Sequence, residues 1–174
     1  KGDLPGNLQR HLVCIEQAAA LGAELVVFPE LSLTGYEPSV ARQAALPVTS
    51  ARLDPLQAAC DRLGITVAVG LPLPTPDGIR IGMPIFCPEA PRQAYAKQRL
   101  HDDELPYFTP GDQALLLEVG EHRVAPAICY ESMFMAHAAV ARERGADLYL
   151  VSVAKTAKGI REGYAHYPEV AREL

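Results

Sequence analysis

The feature that most restricts how this chain can fold is a series of short apolar segments, each ending at a polar or bend-forming residue and separated from the next by a helix-like stretch. The clearest case centres on Cys129. Residues 124–128 are an apolar run that leads straight into it. Residues 132–144 have helical character, Gly145 ends them, and residues 147–153 form a second apolar run. The order reads as strand, sharp turn, helix, strand. A thiol at such a turn is lifted out of the sheet towards the helix start, where free N–H groups and the helix dipole favour thiolate and can also hold an oxyanion. Free cysteine is equally a common small buried hydrophobe, and position alone leaves both readings open.

The same rhythm runs through the rest of the chain. Leu8, Leu12, Ile15 and Ala19 recur at helical spacing and Gly22 stops that helix. Residues 24–28 form a short strand ending at Pro29. Asp54-Pro55 reads as an N-cap followed by proline at the first helical position. Leu56, Ala59, Cys60 and Leu63 then make one apolar face, closed by Gly64. Residues 65–71 are nearly all apolar, as in a strand covered on both faces. Residues 72–78 read as a turn-rich loop, 79–86 and 93–97 as further strands, with Pro84 marking an edge or a bulge. Residues 115–119 and 123–128 read as a hairpin around Gly120-Glu121. Strands alternating with helices indicate an α/β sandwich forming a single domain over residues 1–174.

With 49 % hydrophobic residues in 174, the chain can bury a sizeable core, and disorder is excluded as a general state. A net charge of -5 with no basic stripe argues against nucleic acid as a partner. No apolar run reaches membrane-spanning length. Cys14, Cys60, Cys87 and Cys129 have neither CxxC spacing nor a secreted-type framework, so they read as free thiols in a reducing, cytoplasmic compartment. The five His form no metal-spaced pair, and no metal site is expected.

Three further features stand at strand ends or in the loops after them. Glu30 directly follows Val26-Val27-Phe28-Pro29, where partial burial would raise its pKa and suit it to general-base work. Lys97 ends Ala94-Tyr95-Ala96. Asp102, Asp103 and Glu104 form an acidic cluster before Phe108-Thr109-Pro110-Gly111. Each alone is more ordinarily a solvated surface group.

Together they resemble the motifs of the carbon–nitrogen hydrolase (nitrilase) superfamily. Phe28-Pro29-Glu30-Leu31-Ser32-Leu33-Thr34-Gly35-Tyr36 resembles the signature around the family's catalytic glutamate. Tyr95-Ala96-Lys97-Gln98-Arg99-Leu100, with Glu104, resembles its lysine motif, and Ile128-Cys129-Tyr130-Glu131 its nucleophile motif. The three occur in the family's order, and Gly2-Asp3, Asn7-Leu8 and Gly145-Ala146-Asp147-Leu148 extend the resemblance along the chain. The resemblance implies an α-β-β-α sandwich without a cofactor, acting on a small amide or carbamoyl compound through a thioester on Cys129. It implies Glu30 as base and acid. Lys97 and the Tyr130 backbone N–H would be the oxyanion donors, and Glu104 the group that positions lysine and substrate. Glu131 sits in the same motif, with pinning of the turn as open a role as substrate positioning. By resemblance the first strand and a C-terminal segment would lie beyond the chain as given. A catalytically inactive homologue acting in assembly is the alternative reading, as is a glutaminase or acyl-transfer member of the same superfamily.

A papain-like thiol hydrolase would instead pair Cys129 with His137 or His166. The absence of Trp puts Tyr130 after the nucleophile, which tilts the reading towards amides and away from nitriles. Family members commonly pair through helices, and Met133, Phe134 and Met135 with Ala136, Ala138, Ala139 and Val140 extend around more than one face of the expected helix. A homo-oligomer is therefore expected.

Overall fold

Two sheets lie face to face, and the alternation of side chains along their strands decides what each face buries. The computed structural model describes residues 2–173; Lys1 and Leu174, the ends of the expected domain, lie outside them. The first sheet contains β1 (Leu25–Val27), β2 (Thr66–Ala68), β3 (Leu71–Thr75), β4 (Gly78–Phe86) and β5 (Gln93–Ala96). β1 runs parallel to β2; β2 and β3 both pair antiparallel with one edge of β4, and β5 pairs with the other. The second sheet is β6 (Leu117–Val119), β7 (His122–Ile128) and β8 (Leu148–Ser152), with β6 antiparallel and β8 parallel to β7.

Along β4, Ile79, Ile81, Met83 and Ile85 point into the gap between the sheets, where they meet Leu117, Val119, Val124 and Ile128. Phe86 points the other way, with Val67, Val69, Leu71 and Leu73. These pack on Ile15 of α1 (Leu4–Ala20) and on Leu56 and Cys60 of α3 (Asp54–Leu63); the short α2 (Ala41–Ala44) lies against β3 and adds Ala41 to the cluster between the sheets. Ile81 is fully buried, and burying a side chain of that size contributes about 1.5–3 kcal/mol. On the far side of the second sheet, α4 (Met135–Glu143) turns Ala138 and Ala141 inward, and α5 (Ala157–Glu173) buries Val170. The layers are helix, sheet, sheet, helix, as the fold class implied. Among the described residues no helix is long and apolar enough to cross a membrane.

Four local readings are corrected. Residues 72–75 are strand, not loop. Pro72 and Pro74 are tolerated because their missing donors face away from β4, on the side where the Pro72 carbonyl accepts from Leu46 N at 3.1 Å. Pro84 is in an interior strand, not at an edge. It stands opposite the break at Val69-Gly70, where the β2–β3 ribbon leaves its ladder and only Val69 N bonds the Pro84 carbonyl. Asp54 is inside α3 and does not cap it; its carboxylate holds Arg92 at 2.6 Å, while Ser50 accepts from Arg52 N one turn earlier. The helix expected over 132–144 begins only at Met135, after a single 3-10 turn (Cys129–Met133) and an extended Phe134. Met133 and Phe134 are thereby released from the helix, and Phe134 packs against Tyr130 and under Arg99.

Gly70 explains the break in the ribbon. A Cβ there would lie 2.1 Å from Leu31 N and 2.5 Å from the Pro29 carbonyl, so the sheet passes directly against the loop that follows β1. Gly70 N donates to Ser32 Oγ at 3.0 Å, and the Gly70 carbonyl accepts from Leu33 N at 3.0 Å. His11 of α1 completes the joint. Its Nδ1 faces the Asn7 carbonyl and must donate, so its Nε2 takes the Ser32 hydroxyl proton. Gly70→Ala should cost about 1–3 kcal/mol or more through overpacking against backbone. The loss should exceed that of Gly22→Ala, which sits in open space and incurs only left-handed strain. Urea denaturation midpoints of the two variants check this, and equal losses would refute the clash.

Candidate active site

Strand ends deliver the chemistry. Glu30 lies three residues past β1, Lys97 one past β5 and Cys129 one past β7. The two sheets are tied together here, since Ser152 at the end of β8 donates its hydroxyl to the Phe28 carbonyl at 2.9 Å. Lys97 Nζ is fully buried between two carboxylates, 2.7 Å from Glu30 Oε1 and 2.6 Å from Glu104 Oε1. Glu104 is held in turn by Tyr36 OH at 2.8 Å and by His101 N, which donates to Oε2 at 2.7 Å. The Lys97 backbone continues the β4–β5 ladder by donating to Ile81 O.

Two carboxylates against one ammonium in a buried pocket set the protonation states. Burial opposes the Lys97 charge, but Glu30 and Glu104 outweigh it and its pKa is raised. Burial lifts the Glu30 carboxyl above its ordinary value, and Lys97 offsets that only in part. Glu30 Oε2 is buried without a hydrogen-bond partner among the described residues. The Cys129 thiol is near enough to favour the Glu30 charge, though short of hydrogen-bond geometry with that oxygen. Burial, and after it the Glu30 charge, push the thiol up to about 11. The resting thiol is therefore protonated. This corrects the expectation that a helix start would favour thiolate: only one 3-10 turn follows Cys129, and its small dipole is outweighed by burial and by the neighbouring carboxylate.

Cys129 has φ of 49°, a left-handed conformation that costs a non-glycine residue about 1–3 kcal/mol and persists only where the surroundings enforce it. Glu131 is the main constraint. Its carboxylate is completely buried; Oε1 accepts from Ile128 N at 2.6 Å and Tyr95 OH at 2.7 Å, and Oε2 from Gln98 N at 2.6 Å. Ser132 Oγ donates to the Cys129 carbonyl at 2.5 Å. Glu131 thus bridges the residue before the thiol and the residue after the lysine. Both its oxygens are engaged, and it does not line the cavity.

A cavity of about 430 Å³ opens over Cys129, within the range of small-molecule sites. Lys97, Glu104 and Cys129 line it together with Tyr36, His101, Tyr130 and Met133, residues 154–156, Gly159 and Glu162. Glu30 lies behind Lys97. The structure therefore gathers Glu30, Lys97, Glu104, Cys129 and Tyr130 at one place, with Glu131 beneath. Another cavity of about 410 Å³, between α4, β8 and α5, holds no thiol or lysine among its lining residues. The histidines of the papain-like alternative are otherwise engaged. His137 contacts Tyr95 OH at 3.0 Å and Tyr149 OH at 2.8 Å, and His166 contacts the Ser132 carbonyl. Sequence reasoning passed over His101 and Lys155. Lys155 carried the same signal as the others, since it follows closely on the end of β8.

Comparison with known proteins bears on the family and the fold. The sequence profile of the carbon-nitrogen hydrolase family matches residues 1–172. A glutamine-dependent NAD(+) synthetase of Thermotoga maritima is 31% identical over 134 residues, covering 74% of this chain and 23% of that protein. The hydrolase Rv0480c of Mycobacterium tuberculosis is 32% identical over 158 residues, covering 86% of this chain and 56% of that protein. The chain thus spans from about a quarter to little more than half of these relatives. Among solved structures, an amidase from Nesterenkonia superposes with a TM-score of 0.86 at 27% identity, covering 97% of this chain and 68% of that one.

The Glu131 bridge generates a stability prediction. Glu131→Gln turns an amide N–H₂ towards groups that already donate, and hydrogen bonds to a charged acceptor are worth about 1.5–3 kcal/mol each. The variant should unfold at clearly lower urea, by an equivalent of about 2–3 kcal/mol, although the residue touches no cavity wall. An unchanged midpoint would show that the bridge does not hold the turn.

Proposed function

This chain belongs to the carbon–nitrogen hydrolase family, and on that premise we propose that it is a thiol amidohydrolase acting on a small amide. The observation that carries the reading is the buried Lys97 ammonium held by Glu30 and Glu104 beneath the cavity that Cys129 faces. An amide carbonyl is a poor electrophile and its nitrogen a poor leaving group. Cleavage therefore needs a strong nucleophile, donors for the oxyanion and a proton for the amine.

In the proposed cycle, Glu30 takes the Cys129 proton as sulfur attacks the carbonyl carbon. Lys97 Nζ and the Tyr130 backbone N–H stabilise the oxyanion. The C–N bond then breaks, Glu30 returns the proton to nitrogen, and ammonia leaves a thioester on Cys129. Glu30 next removes a proton from water, whose oxygen attacks the thioester. The acid departs, and the sulfur recovers its proton from Glu30. The raised thiol pKa supports a base-dependent attack, and the unpartnered Glu30 Oε2 supports that group as the acceptor. Glu104 keeps Lys97 charged and in position, and Glu131 holds the turn.

One second reading has specific support. The likeness to the synthetase of Thermotoga, whose name specifies glutamine dependence, favours glutamine as the amide. An amide panel with propionamide, butyramide and glutamine, assayed by ammonia release, separates the two readings. Trapping of an acyl adduct on Cys129 by whole-protein mass spectrometry tests the thioester.

Cys129→Ala and Glu30→Gln should each lower turnover by about three or more orders of magnitude, because residues acting as a unit lose nearly everything singly. Lys97→Ala should do the same. It also leaves two buried carboxylates uncompensated, at about 3–5 kcal/mol, so circular dichroism must accompany the assay. Full activity in any of the three, in a folded protein, would sink the mechanism. The pH profile has a definite sign. Glu30 accepts a proton only when ionised, and its pKa is raised, so kcat/KM should fall as pH drops through a value above the ordinary glutamate range. An acid limb at the ordinary glutamate value would refute Glu30 as the base.

A further inference from the structure

Among the described residues, one cation in the cavity wall has no acidic partner. Lys155 is half-buried there, with Nζ 3.2 Å from Met133 Sδ and 5.8 Å from the centre of the Tyr167 ring. A thioether is a weak acceptor, and a ring at that distance attracts only modestly. Neither replaces the hydration of an ammonium, which is a compact and strongly hydrated charge.

The other charges of the wall are already matched. Lys97 is taken by Glu30 and Glu104. Asp103 pairs with His101 at 2.7 Å and Glu162 with Lys158 at 3.7 Å, so these acids are turned to neighbours of their own. Among the described residues, no carboxylate lies within ion-pair distance of Lys155. Its charge also reaches the Cys129 sulfur, where it works against burial. Lys155 and Cys129 line the same cavity, so one small ligand held there can meet both.

We propose that Lys155 is a specificity-determining residue which receives a carboxylate at the far end of the acyl chain, so that the substrates are ω-amides of short dicarboxylic acids. The proposal rests on the amidohydrolase reading and narrows it. A neutral amide would leave the ammonium desolvated by ligand and uncompensated; a cationic one would be repelled.

The test compares amides of matched length and different charge: glutaramate, pentanamide and 5-aminopentanamide. Each protein is read by the ratio of its kcat/KM values, so that a general loss cancels. The unaltered protein should favour glutaramate over pentanamide by about tenfold or more, the scale of one partly desolvated charge pair. Lys155→Arg should keep that preference. Lys155→Met should lose it, and Lys155→Glu should shift it towards 5-aminopentanamide. An unchanged ratio in Lys155→Met would overturn the proposal, and so would an equal loss on all three amides, which would assign the cation to the thiol alone.

Calorimetry of glutarate with Cys129→Ala protein gives a readout that needs no turnover. Binding should weaken about tenfold when Lys155→Met is added, and equal affinity would overturn the proposal. If the unaltered protein hydrolyses none of the amides while glutarate still binds through Lys155, the amidohydrolase reading fails and the carboxylate site stands. If it hydrolyses neutral amides without preference, only the assignment of Lys155 fails.

Discussion

The buried ammonium of Lys97 is the interaction on which the rest of the site depends. It is closed on two sides by carboxylates from separate loops, Glu30 after β1 and Glu104 after β5, and nothing else in the cluster is cationic. Placing three charges in the interior is expensive, and ion pairs of this kind seldom stabilise a fold relative to apolar residues of the same volume. The cluster is better understood as an arrangement that keeps opposed protonation states side by side. The lysine is held charged against its burial, and the thiol is held neutral until a base acts on it. Burial raises both the thiol and the base; the Glu30 charge adds to the first and the Glu104 charge to the second, so the cluster links their titrations as well as their positions.

Distance within the site is set by a second buried carboxylate that performs no chemistry in the proposed cycle. Glu131 collects donors from both sheets, Tyr95 and Gln98 from the first and Ile128 from the second. Through these bonds the turn bearing Cys129 is referenced to the strand bearing Lys97, independently of the apolar contacts between the sheets. His137 and Tyr149 extend the same network under α4 and give Tyr95 a further partner. Burial lowers the His137 pKa, which keeps the ring neutral and able to accept.

Much of this was legible in the sequence because the relevant signals are local. Apolar runs that end at a titratable residue located Glu30, Lys97 and Cys129 just past strand ends, and Gly64 and Gly120 stopped their elements as read. What was not legible depends on tertiary context. The prolines of β3 look like loop residues until the vacant edge beyond them is known. The continuity of helical residues after Cys129 hides a 3-10 turn, because Glu131 bends the chain there through partners far away in sequence. The thiol pKa follows from burial and from a carboxylate about a hundred residues distant, neither of which a strand–turn–helix pattern contains. Lys155 was passed over because a lone lysine after a strand is ordinarily solvated; only the lining of the cavity separates it from that background.

The close approach of Gly70 to the loop after β1 has a mechanical consequence. That loop is irregular in conformation, yet it is fastened to the β2–β3 ribbon by backbone bonds in both directions and to α1 through the Ser32–His11 pair. It cannot swing out without parting the first sheet from its helices. The loop that bears Glu30 is therefore held rigidly behind the cavity. The lining at residues 154–156 hangs from the end of β8, and α5 is tied back to the Cys129 turn by side chains, Tyr167 to Ser132 and His166 to its carbonyl. The loop of Glu30 is thus fastened through backbone bonds, and α5 only through side chains. Substitutions in α5 therefore bear on the turn that carries Cys129, and those in α1 or at Gly70 on the loop that carries Glu30.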